Sequence, residues 1–238
     1  YTIDQLKSGL VTPVFDGGVL TMAGSGVLDN NFTILAAGGT VDTAGHNLTL
    51  SGSVIGAGVL TKTGDGVLTL ASGANSFAGL NITGGGVSLG SPDVLGGAPI
   101  MLSQSGYILA TQDVVMASLV WIDPNQTGAV NTESHRMTLT GPLAGGGVLA
   151  KQGSGELVLQ GLSDVSGLDI QQGAVLVGAP GSVGAANGVV HIGSGGSFGV
   201  MADMTLTQTF VGEGPGATFD TAQFNVVAAG GLSGMIHK

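Results

Sequence analysis

The chain has 238 residues, of which 46 are glycine, 43% are hydrophobic and only 8% are charged, and it contains no cysteine. The apolar fraction is large enough for a core, which excludes a disordered tail, and the missing cysteine excludes stabilisation by disulfides. The net charge is −10, so neither nucleic acid nor an anionic membrane surface is an expected partner, because both require clustered Lys and Arg. Glycine or polar residues interrupt every stretch of about 18 residues, so we expect no membrane-spanning helix.

The predicted elements, in chain order, are short strands that recur as copies of one repeat. A partial copy occupies residues 18–40 and begins GVLTMAGSGVL. The first full repeat covers residues 41–129 and begins VDTAGHNLTL, and the second covers residues 130–217 and begins VNTESHRMTL, at an offset of about 89 residues. A third copy, residues 218–238, begins TFDTAQFN and breaks off at GMIHK, which aligns with GVLTK of the first repeat. We therefore predict a single β-helix over residues 1–238.

Each repeat alternates strands with glycine turns. The LTL segments at residues 48–50 and 68–70 have the period of two that is typical of a half-buried strand. Glycine supplies the positive φ of a tight corner and allows close stacking. Corners every 7–12 residues or so predict coils of roughly 20–25 residues, and hence an all-β, right-handed parallel β-helix (β-solenoid) of about ten coils. The predicted structural turn glycines are Gly58, Gly64, Gly66, Gly147, Gly153 and Gly155.

Residues 58–70, GVLTKTGDGVLTL, resemble the autotransporter-associated β-strand repeat. In that family a G-x-L-T-K-x-G-x-G-x-L-x-L core is followed by S-G-x-N-x-[YF]-x-G, which this chain has as SGANSFAG at residues 72–79. The second repeat loses the Asn and the aromatic at residues 162–166, and the partial copy has Met22 in place of the lysine. The resemblance implies a passenger domain of a type V secreted protein, held on or released from a Gram-negative outer membrane. It specifies no activity, since family members range from adhesins to carriers of enzyme modules.

The charged residues do not form the pattern of a catalytic site. A polysaccharide lyase needs clustered carboxylates for calcium and a basic residue, and the single arginine, Arg136, stands beside His135 and Glu133. His46 is the repeat counterpart of His135, so a shared turn role explains both histidines better than catalysis. Acids are spread singly, which does not predict the facing carboxylates of a glycosidase. The alternative function is a polysaccharide-acting lyase or hydrolase, in which Arg136 would converge with Asp123 or Glu133 in a groove.

Nucleophile and metal motifs are also not supported. His191 lies near Ser194 and Ser197, but the GSGGS segment is a glycine-rich turn rather than a Gly-x-Ser-x-Gly elbow, and no partner acid is evident in the sequence. Asp65 resembles a calcium nonapeptide position, yet Ser154 replaces it in the second repeat. We therefore predict no enzyme, no catalytic residue, no metal ligand and no cofactor.

Lys62, Lys151 and Lys238 occupy equivalent places in the three copies. We expect each to close its strand before the glycine turn, with its stem along apolar surface and its charge in water; the alternative is a charged row. Two candidate contact residues are Trp121, the only tryptophan, and Asn125, and we expect both in one exposed turn over residues 121–126. Packing of Trp121 against a coil edge is the stronger alternative for that residue.

The predicted function is a structural or adhesive surface module that presents a shallow polar face or assembles into a fibre. The expected partners are a glycan or protein on a host or neighbouring cell, or a second copy joined through open coil edges, which are templates for strand pairing. No nucleic-acid partner is expected, and the chain itself is not expected to span a membrane. The expected location is extracellular or on the surface of a Gram-negative bacterium.

Overall fold

The computed structural model describes Leu6, residues 11–89 and residues 94–237. In this part of the chain the protein is all-β, with parallel strands stacked as a β-solenoid of about ten turns, which confirms the predicted fold class. The chain divides into two compact units, Tyr1–Thr111 (the N-terminal unit) and Gln112–Lys238 (the C-terminal unit). The single β-helix over residues 1–238 and its repeat boundaries stay a prediction.

The N-terminal unit has three parallel sheets, ordered β1-β4-β7, β2-β5-β8-β10-β12 and β3-β6-β9-β11-β13. Its strands are β1 (Val14–Phe15), β2 (Val19–Thr21), β3 (Gly26–Leu28), β4 (Phe32–Ile34), β5 (Gly39–Asp42), β6 (Leu48–Leu50), β7 (Val54–Gly56), β8 (Val59–Thr63), β9 (Val67–Leu70), β10 (Gly79–Ile82), β11 (Gly86–Leu89), β12 (Ile100–Leu102) and β13 (Tyr107–Leu109).

The C-terminal unit has two long sheets, β14-β17-β20-β22-β24-β27 and β16-β19-β21-β23-β26-β29, and the short pairs β15-β18 and β25-β28. Its strands are β14 (Val114–Met116), β15 (Val120–Ile122), β16 (Thr127–Asn131), β17 (Arg136–Leu139), β18 (Leu143–Ala144), β19 (Val148–Gln152), β20 (Glu156–Leu159), β21 (Gly167–Ile170), β22 (Gly173–Val177), β23 (Val189–Ile192), β24 (Gly196–Val200), β25 (Met204–Leu206), β26 (Thr209–Gly212), β27 (Thr218–Asp220), β28 (Val226–Ala228) and β29 (Leu232–Gly234). A 3-10 helix covers Pro180–Ser182.

Inward-facing aliphatic ladders form the core of each unit. In the N-terminal unit Leu28, Leu50, Leu70 and Leu89 stack in register on β3, β6, β9 and β11, with partners about 20 residues apart in the chain. All four are at most 2% exposed. Full burial of one such side chain contributes about 1.5–3 kcal/mol, so stacked coils stabilise one another without disulfides.

Buried polar side chains satisfy the backbone where strands are interrupted. Asn75 is 5% exposed, and its Oδ1 accepts a hydrogen bond from Val54 N at 2.7 Å. Its Nδ2 donates to Ser72 O at 2.8 Å and to Val94 O at 2.7 Å. This asparagine therefore joins three consecutive coils of the N-terminal unit, which gives the Asn of the SGANSFAG segment a structural role.

Candidate functional site

Lys62 lies at an inward position of β8. Exposure alternates along this strand, and both Leu60 and Lys62 are 0% exposed. In register, Lys62 stands between Val41 of β5 and Ile82 of β10. An ammonium group therefore occupies one place in an apolar ladder. Burial of a charge is costly unless the group is fully hydrogen-bonded.

The Lys62 ammonium donates three hydrogen bonds to backbone carbonyls. Nζ lies 2.9 Å from Thr63 O, 2.7 Å from Gly64 O and 2.9 Å from Gly84 O. The first oxygen belongs to the last residue of β8, the second to the turn that follows β8, and the third to the corner of the next coil. Because an ammonium has three donors and no acceptor, all of its hydrogen-bonding capacity is used. The side chain ties two successive corners together.

Lys151 repeats this arrangement in the C-terminal unit. It is 1% exposed and stands beside Val130 in the ladder between β16 and β19. Its Nζ lies 2.9 Å from Gln152 O, 2.7 Å from Gly153 O and 3.1 Å from Gln172 O. The two buried lysines thus make the same three types of contact, and we call their surroundings the Lys62 corner and the Lys151 corner.

Burial lowers the pKa of both lysines from 10.5 to about 8, because desolvation disfavours the charged form. At the Lys62 corner the nearby carboxylates of Asp42 and Asp65 oppose this effect and raise the pKa. Both ammonium groups remain protonated at neutral pH, as their three carbonyl acceptors require.

A buried threonine links each corner to the preceding coil. Thr43 is 0% exposed; its Oγ1 donates to Thr63 O at 3.1 Å and accepts from Gly66 N at 3.1 Å. Thr132 is also 0% exposed, and its Oγ1 donates to Gln152 O at 3.2 Å. Threonine in one coil and lysine in the next therefore share a carbonyl acceptor.

The paired turn glycines are required for two different reasons. Gly64 and Gly153 have φ of +75° and +77°, the left-handed region that glycine adopts without strain. Gly66 and Gly155 are needed for close stacking, since an added Cβ would lie 1.8 Å and 2.0 Å, respectively, from a carbonyl oxygen of the neighbouring coil. The positive φ expected at all of these turn positions is therefore found at the first glycine of each Gly-x-Gly pair.

Gly58 and Gly147 directly precede β8 and β19, at points where neighbouring coils also approach closely. A Cβ on Gly58 would lie 1.9 Å from Leu35 O, and one on Gly147 would lie 2.6 Å from Asp123 O. Overlaps of this size with backbone cannot be relieved by a side-chain rotation. These glycines therefore set the spacing between coils.

The lysines depart from the sequence expectation in one respect. The stems were expected to lie along apolar surface, but the whole side chain of Lys62 and of Lys151 is buried, including the charged end, so the two lysines form no exposed charged row. Met22, which replaces the lysine in the partial copy, is also buried, at 3% exposed. It is not on the same ladder as Lys62, because Lys62 is in register with Val41, and Val41 is in register with Leu20. Lys238, the third equivalent lysine, lies outside the described residues.

A polar groove of about 660 Å³ lies over the Lys151 corner. We call it the amide groove. Besides Gly153, it is lined by Asn131, Glu133, Gln152, Ser154, Gln171 and Gln172. Gln152 Nε2 donates to Gln171 Oε1 at 3.2 Å, and Gln171 Nε2 donates to Asp169 Oδ2 at 2.8 Å. Neighbouring coils therefore present a row of two hydrogen-bonded carboxamides, Gln152 and Gln171, which ends on the Asp169 carboxylate.

The two predicted contact residues lie on opposite sides of a strand end. Trp121 is on β15 rather than in the turn, and it is 38% exposed. Its Nε1 donates to Asp123 Oδ1 at 2.7 Å, and its ring covers Gly145, where a Cβ would lie 2.9 Å from the indole Cε2. Asn125 is exposed in the turn with φ of +63°. Contact by either residue stays a prediction.

Arg136 is paired with a different acid from those that the enzyme alternative named. Its Nη1 lies 3.2 Å from Glu156 Oε2, and its backbone N–H donates to Asp113 Oδ1 at 2.9 Å. Asp123 accepts from the indole of the neighbouring strand end, and Glu133 lines the amide groove. The exposed Arg136–Glu156 pair joins two rungs of one sheet, β17 and β20, which is an ordinary structural contact.

The equivalent histidines close equivalent turns. His46 N donates to Thr43 O at 2.8 Å, and His135 N donates to Thr132 O at 2.8 Å. The carbonyl oxygens that lie against Gly66 and Gly155 are those of His46 and His135, so the backbone of each histidine supports a lysine corner.

His191 has a partner acid that the sequence analysis missed. Its Nδ1 contacts Glu213 Oε1, and both side chains are partly exposed. Ser194 Oγ donates to Pro215 O at 2.9 Å, and Ser197 is on β24, in a different sheet from His191 on β23. Glu213 is about one coil away in sequence, and that spacing was the signal that could have found it. Within the part of the chain that the structure describes, no group of three or more His, Asp or Glu side chains could hold a metal.

Comparison with known proteins assigns the repeats. The passenger-associated-transport-repeat family matches residues 60–89 and 149–177, stretches that contain Lys62 and Lys151 respectively. The chain is also 30% identical, over 179 residues, to the adhesin BmaC autotransporter of Brucella suis biovar 1 (strain 1330). The chain belongs to the autotransporter passenger domains. That match covers 68% of this chain and 5% of the adhesin, so the chain spans only a small part of that relative's length. No solved structure matches this passenger domain.

The family places the passenger domain among secreted or cell-surface proteins of Gram-negative bacteria. In the residues that the structure describes, no helix is both long and apolar enough to cross a membrane. The matched stretches contain the buried lysine, its Gly-x-Gly turn and the strands on either side, so the repeat is in large part the sequence of a lysine corner.

Proposed function

We propose that this passenger domain is a non-enzymatic part of a bacterial surface adhesin that presents a polar contact surface. The observation that carries the proposal is the 30% identity to an autotransporter adhesin across 179 residues. Export through the Gram-negative outer membrane by the type V route belongs to the same proposal.

The division between buried and exposed residues supports a contact role. Two positions of the matched repeat, Lys62 and Gly66, are fixed by contacts between stacked coils, and Thr43 in the preceding coil bonds to Gly66. Outward positions such as Thr40, Thr61 and Asn81, which lie side by side on β5, β8 and β10, are free of that constraint. A solenoid of this kind offers a long polar surface whose composition can change without disturbing the core.

Adhesion is tested directly with the purified chain on fluorescent beads. Beads carrying the folded chain should bind to epithelial-cell monolayers more strongly than beads carrying albumin or the heat-unfolded chain. Binding no stronger than the albumin control across several cell types and matrix proteins would contradict an adhesive role.

Sedimentation velocity at rising concentration separates presentation by a monomer from assembly into a fibre.

The absence of catalysis has its own test. The chain is incubated with neutral and acidic polysaccharides, and new reducing or unsaturated ends are measured by mass spectrometry. We expect none. Cleavage that disappears in Arg136→Ala would restore the polysaccharide-enzyme alternative.

A further inference from the structure

We propose that the amide groove of the C-terminal unit binds neutral oligosaccharides. This inference rests on the proposed adhesive function and names the chemical class of its partner. It is carried by the juxtaposition of a carboxamide row with a turn backbone that a buried lysine holds in place.

The lining of the groove matches the hydrogen-bonding pattern of sugar hydroxyls. A hydroxyl both donates and accepts, and a carboxamide offers two donors beside an acceptor with two lone pairs. The bond from Gln152 to Gln171 and the bond from Gln171 to Asp169 orient the first two carboxamides and use only part of that capacity. The remaining donor and acceptor positions of Gln152 and Gln171 suit adjacent hydroxyls on a pyranose ring.

The charge of the groove selects against anionic sugars. Glu133 lines it, and Asp169 is bonded to the Gln171 amide. Lys151, directly beneath, directs its ammonium to backbone carbonyls inside the corner rather than to solvent. A carboxylate accepts two hydroxyl bonds well but repels sialic acid, sulfate and phosphate groups. The favoured ligand is therefore uncharged.

The buried lysine preorganises the backbone of the groove. All three carbonyls that bind Lys151 Nζ belong to residues lining the groove: Gln152, Gly153 and Gln172. A site that is already ordered loses less conformational entropy on binding. Lys151 is in this sense a positioning residue, since it acts on the ligand only through the turn backbone.

The Lys62 corner provides a comparison within the same chain. Its lysine makes the same three contacts, but the residues equivalent to Gln152, Gln171 and Ser154 are Thr63, Thr83 and Asp65. Thr83 Oγ1 donates to Lys62 O at 3.2 Å, so its hydroxyl is directed at the backbone. The backbone arrangement is repeated and the carboxamides are not, which confines the proposed binding to the C-terminal unit.

The test is a titration of the whole chain, labelled with ¹⁵N, with four probes: cellotetraose and fully N-acetylated chitotetraose as neutral sugars, and sialyllactose and a heparin tetrasaccharide as anionic ones. At least one neutral probe should shift the side-chain amide signals of Gln152, Gln171 and Gln172, with a Kd of about 1 mM, as expected for a shallow site. The variant Q152A/Q171A should weaken that binding by about fivefold or more. The matched control T63A/T83A should leave it unchanged.

Three results would overturn the inference: no neutral probe shifts these signals, the remaining Gln172 signal shifts in Q152A/Q171A with the wild-type affinity, or only the anionic probes bind. Thermal unfolding of Q152A/Q171A is measured in parallel, and a midpoint like that of the wild type confirms that the variant is folded. Bead adhesion is scored separately. Adhesion without sugar binding would contradict sugar binding by the amide groove but not the adhesive function. Sugar binding without adhesion would contradict the adhesive function but not sugar binding by the groove.

Discussion

The Lys62 and Lys151 corners have the same buried arrangement but different surface residues. In both, an ammonium inside an apolar ladder binds three carbonyls: one at the end of its own strand, one in the turn that follows and one in the next coil. Around Lys62 the surface carries Asp42 and Asp65, whereas the surface around Lys151 carries carboxamides. The pKa of both lysines is nevertheless about 8. Burial therefore dominates the properties of the lysine, and the exposed residues are left to vary with function.

The largest expected effect comes from the glycines that allow coils to stack. In Gly66→Ala and Gly155→Ala the new methyl group would lie 1.8 Å and 2.0 Å from a backbone carbonyl. Backbone on both sides must move, so we expect each to lower the free energy of unfolding by about 3 kcal/mol, the upper range for overpacking. Urea unfolding measures this.

Gly24→Ala is the matched control, because nothing lies within 4 Å of its added Cβ and its φ is not in the left-handed region. It should change stability by less than about 0.5 kcal/mol. If one corner tolerates alanine and the other does not, the two corners are not equivalent in packing.

A smaller loss is expected when the ammonium is removed and the volume of the side chain is kept. In Lys62→Met and Lys151→Met the charge no longer has to be buried, but the carbonyls of Gly64 and Gly84, or of Gly153 and Gln172, lose their donor. An unsatisfied buried group costs about 1–3 kcal/mol, so we expect a net destabilisation of about 2 kcal/mol for each variant. Urea unfolding at pH 7 measures it, and a variant as stable as the wild type would show that the ammonium does not stabilise the corner.

The sequence predicts the solenoid, but it predicts only some of the contacts at its corners. Alternation in strands such as β8 and the Gly-x-Gly turns predicted the coil length and the stacked glycines. The same alternation puts Lys62 on the side of Leu60, but lysine usually extends its charge into water, and that general rule led to the wrong exposure. The three carbonyls converge only when coils stack, since Gly84 comes from the next coil. The amide groove was missed for the same reason, because Gln152 and Gln171 become neighbours through the register of β19 and β21.

The pH dependence of stability follows from the lowered pKa of the two lysines. Below about pH 8 the native and unfolded states both hold the proton, so these groups add no pH dependence. Between about 8 and 10.5 the unfolded state holds more protons than the native state, so stability rises with pH, by at most about 1.4 kcal/mol per pH unit for each lysine. Above 10.5 the contribution is constant.

Unfolding free energies measured from pH 7 to 11 test this rise. Because each Met variant removes one titrating group, K62M and K151M should each have a shallower rise than the wild type. Parallel curves for all three proteins would contradict a lowered lysine pKa.

The smallest expected effect is the change in lysine pKa that the surface carboxylates cause, as distinct from the change that burial causes. Asp65 raises the pKa of Lys62 against the effect of burial, and Ser154 holds the equivalent place beside Lys151. Exchanging the two surfaces should therefore move the pKa values in opposite directions: downward for Lys62 in Asp65→Ser, and upward for Lys151 in Ser154→Asp. Each shift should be well below one pH unit, since a solvent-facing carboxylate acts through a high dielectric and is screened by salt. Titration of the lysine side chains by ¹³C-detected NMR at low and high salt measures both. Shifts in the same direction would mean that the acids act by disturbing the turn, and a shift larger than the one caused by burial would reverse the conclusion that burial dominates.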